Sequence, residues 1–565
     1  MRRATTKQKA QTAKLHSIPA PIGGLISNRS LAMAARAQNL RPGAEVLENW
    51  FPIATGIITR RGSRRWATIG GPRVRSMFSY ISGEQQELFA ATDAAIWDIT
   101  NTFTLQPWAL SAGGDTMIAV DETPGAEVAI GEDGAQGKNV FTSATNGDWS
   151  VVQFTTPGGT FLVGVNGTDH GFIYDGTTWE SADTGTIAIT FPTRSTLTTA
   201  DLSYVWMYQK RIWFIEKNSL NVWYLPVDQV GGELTLFPLG GEFTRGGTLL
   251  WGQSWSLANG GAGGLSDQCV FCTTEGDVAS YQGINPGQAA TWSKVGSYRT
   301  GRPLGRKALI KAGGDLVIAT TLGFVSLQMA SQTDSAALGA RAVSSPIEDE
   351  WAQAVQLRGQ DEWRCQVWAD GQMVLIAPPT PINREPVVFV ANSVTGAWGK
   401  ITGWDITAME TFLGRVFFGS RDGNVRQGWV GGTDEGKPFT CNCLPLYDSL
   451  DTPASIKMAK MARAVMRSAY AVREKVTAMF GFSLSMPPPP NAVDIPVGNE
   501  WDNAIWNQSL WDAERASIYS ADWRSVGGSG ADVSVAVQIT SGSDVPLDTE
   551  LVRIDLTYSV AGMVT

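Results

Sequence analysis

Between residues 77 and 430 one unit recurs: a β-rich apolar run, a turn built on Gly, Asp or Asn, and a second alternating run ending near Trp or Tyr. No other feature constrains the fold as much, because a sheet made from one such unit cannot cover both of its own faces. The clearest copies are LFAATDAAIWDI from Leu88, FLVGVNGTDHGFIYDGTTW from Phe161, IWFIEKNSLNVWYL from Ile212 and VFCTTEGDVASY from Val270. LVIATTLGFVSL from Leu316, VLIAPPTPINREPVVFV from Val374 and VFFGSRDGNVRQGW from Val416 follow. Their starts lie 73, 51, 58, 46, 58 and 42 residues apart. All but the first interval approach the roughly 40 to 50 residues of known propeller repeats.

Radial stacking of six or seven blades would cover each sheet with its neighbours and leave only short edges. Trp97, Trp179, Trp223 and Trp429 suit packing between such sheets. A string of β-sandwiches is the alternative architecture. The long first interval holds an insertion at residues 111–150 with seven acidic residues and one Lys. A lumen loop, a lattice contact and an elaborated blade are all open readings of it. The expected fold is all-β, with a basic N-terminal arm and first platform segment at 1–76, propeller-like repeats at 77–436 and a β-rich domain at 437–565.

The net charge of −9 conceals a division, since residues 1–65 carry twelve Lys/Arg against two Asp/Glu. Residues 84–297 carry the opposite excess, seven basic against 23 acidic. Arg2, Arg3, Lys7, Lys9, Lys14, Arg29, Arg36 and Arg41 all precede the first acidic residue, Glu45. Such an arm reads as a solvated tail, as a docking strand for an acidic partner, or as a nucleic-acid contact.

Several chemistries are disfavoured. Only two histidines are present, His16 and His170, and both neutral-pH proton transfer and zinc ligation lean on imidazole. The five cysteines form no even framework, and Cys269 and Cys272 sit in an apparent strand where i and i+3 face opposite ways, so buried reduced thiols are expected rather than a metal site. GEDGAQGKN from Gly131 misses the phosphate-loop spacing, and SRDGNVRQGW from Ser420 reads as a hairpin turn. Glu348, Asp349, Glu350, Asp361 and Glu362 read as a solvated charged face rather than a glycosidase pair. No apolar run approaches the roughly 20 residues of a membrane span, and the N-terminus has no continuous apolar core, so synthesis and use in a cytoplasmic context are expected. No cofactor is expected.

Residues 456–476 are ambiguous, because Met458, Met461, Val465, Val472 and Val476 form a helical stripe opposite Lys457, Lys460, Arg463 and Arg467. Pro487 to Pro490 then form a stiff spacer, Trp501, Trp506 and Trp511 recur every five residues, and two apparent strands follow.

Residues 21–69, PIGGLISNRSLAMAARAQNLRPGAEVLENWFPIATGIITRRGSRRWATI, resemble the start of tail nozzle proteins of short-tailed bacteriophages, the tail tubular protein B type. The pattern rests on Gly23, Gly24, Asn49, Gly56, Arg60, Arg61 and Gly62, without the usual Pro after the arginines. WDNAIWNQSLWD from Trp501, with Asp522 and Trp523, is similar to the C-terminal part of such proteins. The resemblance implies strands rather than a helix at 456–485. It also implies a platform built by the N- and C-terminal segments and a propeller-like body around a channel.

The function it implies is structural: a virion tail protein made in the host cytoplasm, a homohexameric ring under the portal adaptor, contacting tail fibres or tip proteins and conducting double-stranded DNA without sequence specificity. An acidic lumen would deny phosphates tight basic contacts and let DNA slide. Asn49, Arg60, Arg61, Arg64 and Arg65 are the expected docking residues toward the adaptor or a neighbouring subunit, because Arg forks pair with carboxylates. A receptor-binding tail adhesin and a propeller glycosidase acting on surface polysaccharide are the alternatives, and no enzyme activity is expected of the nozzle.

Overall fold

Alternation of apolar and polar residues with short Gly turns drives each repeat into an antiparallel meander. The structure is a computed structural model describing residues 13–28, 41–69, 73–100, 117–120, 127–130, 138–141, 145–193, 195–257, 266–468, 472–492, 518–520 and 522–563. Seven meanders radiate from a common axis, and their innermost strands are Ser76–Ser82, Ser150–Thr156, Leu202–Tyr208, Leu249–Leu257, Leu309–Ala312, Arg364–Trp368 and Ala408–Phe412. Each of these strands packs against the next blade, Leu249–Leu257 meeting the fifth through Asp315–Thr320 and a Lys311–Ser254 hydrogen bond, and Ala408–Phe412 returns to Ser76–Ser82, so the ring closes. Among the described residues six meanders have four strands and the fifth has three. The architecture is an all-β propeller, and ring closure leaves no place for a string of sandwiches.

A separate apolar cluster fills the space between neighbouring blades. Phe89, Trp149 and Phe172 pack between the first and second, Val163, Phe214 and Trp223 between the second and third, and Trp206, Trp213, Phe271 and Trp292 from the third toward the fifth. Trp97, Trp179, Trp223 and Trp429 all pack against these inter-blade clusters. Trp213 and Trp292 stack at 5.6 Å, and Tyr281 stacks on Trp292 at 5.7 Å. Full burial of one such side chain contributes about 1.5–3 kcal/mol or more, which is how a sparsely charged chain holds its blades together.

Of the 111–150 insertion, the described strands Met117–Val120 and Glu127–Ile130 pair antiparallel as a sheet of their own, and Lys138–Phe141 pairs with Ile96–Asp98 as the first blade's outermost strand. A second departure from plain repetition follows the fifth blade, where Leu327–Gln332, Leu338–Arg341 and Glu348–Arg358 are helical. The last of these opens on Glu348, Asp349 and Glu350 and ends on Arg358, which complements the helix dipole, and it buries Trp351, Ala354 and Val355.

The seventh blade takes its outer strand from far upstream. Ser63–Thr68 pairs with Asn424–Gly428, Asn424 opposite Thr68 and Gly428 opposite Ser63. The residues before and after the blades join in two further sheets. Trp50–Pro52, Ile57–Thr59, Glu550–Met563 and Ser455–Ser468 form one, with Lys14–Pro19 alongside. Ala44–Glu48, Thr440–Pro445, Val533–Thr540 and Lys475–Phe480 form the other, which continues the sixth blade because Glu48 pairs with Lys400 of its outer strand. One apolar cluster, including Leu47, Cys441, Val537, Ala464, Leu551 and Ile554, lies between them and runs on to Trp351 and Trp363. The ambiguous segment at 456–476 is a strand over Ser455–Ser468, as the resemblance implies. Arg2, Arg3, Lys7, Lys9, Arg29, Arg36 and Trp501, Trp506 and Trp511 lie outside the described residues.

Gly62 marks the corner where the chain leaves this platform for the seventh blade. A Cβ there would sit 1.8 Å from the Thr433 carbonyl oxygen, an approach only glycine permits. Gly62→Ala is therefore expected to lower the unfolding free energy by about 2 kcal/mol or more. Urea denaturation checks this against Gly240→Ala, where a Cβ meets nothing within 4 Å and little change is expected.

Candidate functional site in the propeller channel

The residues expected to dock a partner prove to be of two kinds. Asn49, at a left-handed φ of 59°, and Arg60 are both buried, so neither offers a docking surface. Arg60 Nε donates to Asn49 Oδ1 at 2.7 Å, and its Nη1 and Nη2 fork onto Asp434 at 3.1 and 2.6 Å. The remaining guanidinium protons reach the carbonyls of Arg61 at 3.0 Å and Thr402 at 3.1 Å. The plane lies 3.6 Å from the Phe439 ring centroid. Asn49 in turn donates to Thr402 Oγ1 at 2.9 Å and to the Thr440 carbonyl at 2.7 Å. A burial this complete satisfies every donor of the cation, which is why it sits inside the protein and not on its surface. Arg61 pairs with Asp548 and Arg65 with Glu435, both at the surface, and Arg64 is exposed.

The second constellation had no signal in the sequence. All seven innermost strands line a central cavity of about 430 Å³. Where these strands begin, Asp148 accepts from Arg306 Nη2 at 2.7 Å, Lys307 Nζ at 2.9 Å and Arg364 Nη2 at 3.1 Å. Arg306 also donates to the Ser203 carbonyl at 2.8 Å, and Arg364 Nε to that of Thr407 at 3.1 Å. The second, fifth and sixth blades thus meet at one carboxylate, and the two arginines reach on to the third and seventh. Burial would raise the Asp148 pKa, but Arg364, Lys307 and Arg306 hold it well below the usual carboxylate range. Burial pulls Lys307 down to about 8 against the attraction of Asp148, and burial pushes Glu410, farther along the channel, up to about 8.

No histidine lines the cavity. His170 lies elsewhere, bonded to Asp183, which also accepts from Thr199 Oγ1 at 2.7 Å. The carboxylate therefore separates imidazole from hydroxyl, so the group is not a relay. Glu350 and Glu362 are tied to Lys400 and Arg73. Burial raises the Cys269 and Cys272 thiols well above their ordinary range. Among the described residues no group of three His, Cys, Asp or Glu side chains could hold a metal ion, and no helix is long and apolar enough to cross a membrane. What the channel offers is charge and hydrogen-bond donors.

No family model matches the chain, and no curated protein matches it. Similar solved structures include BBS1N in complex with ARL6DN, at 8% identity and TM-score 0.32, covering 68% of this chain and 98% of that one. YCF48 from Cyanidioschyzon merolae aligns at 10% identity and TM-score 0.27, covering 65% and 98%. A six-bladed β-propeller fungal lectin, from Aleuria aurantia, aligns at 10% identity and TM-score 0.26, covering 58% and 94%.

The Glu410 carboxyl gives the channel a pH signature. Its folded pKa lies above the ordinary value of 4.5, so the folded chain keeps a proton that the unfolded chain releases, and stability falls as pH rises from about 4.5 to about 8. Glu410→Gln removes that loss. Relative to the parent, the variant is expected to gain about 1–3 kcal/mol between pH 5 and pH 7.5, read from urea unfolding at both values. A pH-independent difference contradicts the assignment.

Proposed function

We propose that this chain is a structural virion protein of the tail nozzle type, a subunit of a six-membered ring below the portal adaptor that retains and then releases phage DNA. One observation carries the reading. The two stretches that resemble such proteins lie in the regions whose described parts interleave as a platform, and that platform is continuous with the sixth blade and closes the seventh. Force or movement at the platform would thereby reach the propeller without passing through a flexible linker.

The channel within one propeller is too small for a duplex, since 430 Å³ is the scale of a small-molecule site. In this proposal DNA travels along the axis of the ring, between subunits. The acidic stretch 84–297, which builds most of the first four blades, is the surface proposed to face it, because a lumen poor in cations gives phosphates little to hold. Arg61, Arg64 and Arg65, which keep solvent access, are the residues left to meet acidic groups on the adaptor.

Mass spectrometry of purified particles from the source tests the reading. The expected result is about one copy of this chain per two portal subunits, as a six-fold ring beneath a twelve-fold one requires. Absence of the chain from particles contradicts it, and glycan hydrolysis and cell binding then become the properties to measure.

A further inference from the structure

The charge in the propeller channel does not balance. Arg306, Lys307 and Arg364 share the single carboxylate of Asp148, which leaves two positive charges in excess. The other charged groups lining the cavity do not remove that excess. Arg75 is engaged by Asp93 and Glu362, Lys311 donates to Ser254, and Glu410 holds its proton through most of the neutral range. The cations are also drawn in from solvent, the Arg364 side chain 6% exposed, that of Arg306 17% and that of Lys307 25%. Cations gathered at such depth cost free energy unless an opposite charge joins them.

Their donors point the same way. Arg364 uses Nε on Thr407 and Nη2 on Asp148, while Nη1 has no partner among the described residues. Lys307 has three protons and makes one bond, to Asp148. A guanidinium edge and an ammonium thus line the same cavity with bonding capacity unused.

We infer that the end of the channel where the innermost strands begin is a binding site for a phosphate or phosphoryl group, held by Arg364 and Lys307 with Arg306 and Asp148 fixing their positions. An excess of two positive charges matches the −1.5 to −2 or so of a phosphoryl group near pH 7 better than the single charge of a carboxylate. Arg supplies the fork and Lys the point charge that such a group favours. The cavity of about 430 Å³ exceeds what one phosphate fills, so it also has room for a small molecule bearing one. The site belongs to a single propeller and does not depend on the nozzle reading.

Calorimetric titration of the full chain with inorganic phosphate and, separately, with glucose 6-phosphate tests it at constant chloride. One saturable site per chain is expected, with a Kd of about 1 mM or tighter for at least one probe. Tighter binding of glucose 6-phosphate assigns the site to phosphorylated small molecules, and tighter binding of phosphate assigns it to the free ion. Lys307→Met should weaken binding about tenfold or more, and Lys307→Arg should largely retain it. Titration of the parent without saturable heat from either probe overturns the inference, as does undiminished binding in a folded Lys307→Met chain. Should that variant fail to fold, acylation of Lys307 in the parent decides, measured by mass spectrometry. Phosphate should slow it, and an unchanged rate overturns the site.

Discussion

A guanidinium with no solvent contact stands where three parts of this chain cross, and the rest of the architecture depends on it. Arg60 comes from the corner between platform and propeller, Thr402 from the edge of the sixth blade, and Asp434 and Phe439 from the segment that leads out of the seventh. Removing a cation from water costs several kcal/mol, and only a complete set of partners offsets that cost. Those partners exist in one arrangement alone, with Ser63–Thr68 laid on the seventh blade and Asn49 turned inward. The hub favours the closed ring because any loss of a partner while the cation stays buried leaves a donor unsatisfied.

Closure of this kind has consequences for the whole molecule. A pairing between Thr68 and Asn424 spans most of the sequence, so it closes a long loop whose entropy cost the packed ring must offset. Once formed, it makes platform and propeller one body, because the same short segment also contributes Ala44–Glu48 and Ile57–Thr59 to the two platform sheets. Asp148 does for the centre of the ring what Arg60 does for its rim. It ties the starts of separate blades with one ionised group, and it leaves a surplus of positive charge behind.

The repeats were legible because strand alternation is a local property. Phe161, Ile212, Val270 and Val416 each open a run that is a strand within a blade. The helices between Leu327 and Arg358 were not read, since their apolar residues are few and their burial depends on distant parts of the chain, the inter-blade cluster for the first two and the platform core for the last. Residues 456–476 imitated a helix for an identifiable reason. The strand Ser455–Ser468 shifts register against Glu550–Met563 at three places, and each shift breaks the strict alternation that would have marked it. Asn49 and Arg60 were expected on a docking surface and lie inside the protein. Residue type announces a charge, while its burial is decided by Asp434 and Thr402, more than 340 positions away. The channel cluster was invisible for the same cause, since Asp148, Arg306 and Arg364 meet only when the ring is closed.

Hydrogen exchange on an Arg60→Gln chain, compared with the parent by mass spectrometry, tests the central claim that this one cation couples platform to propeller. The account predicts that protection falls together in 57–68, in 398–402 and in 440–445, because the three lose a common partner. Loss confined to 57–68, with the sixth-blade edge and the platform strand as protected as before, would contradict it.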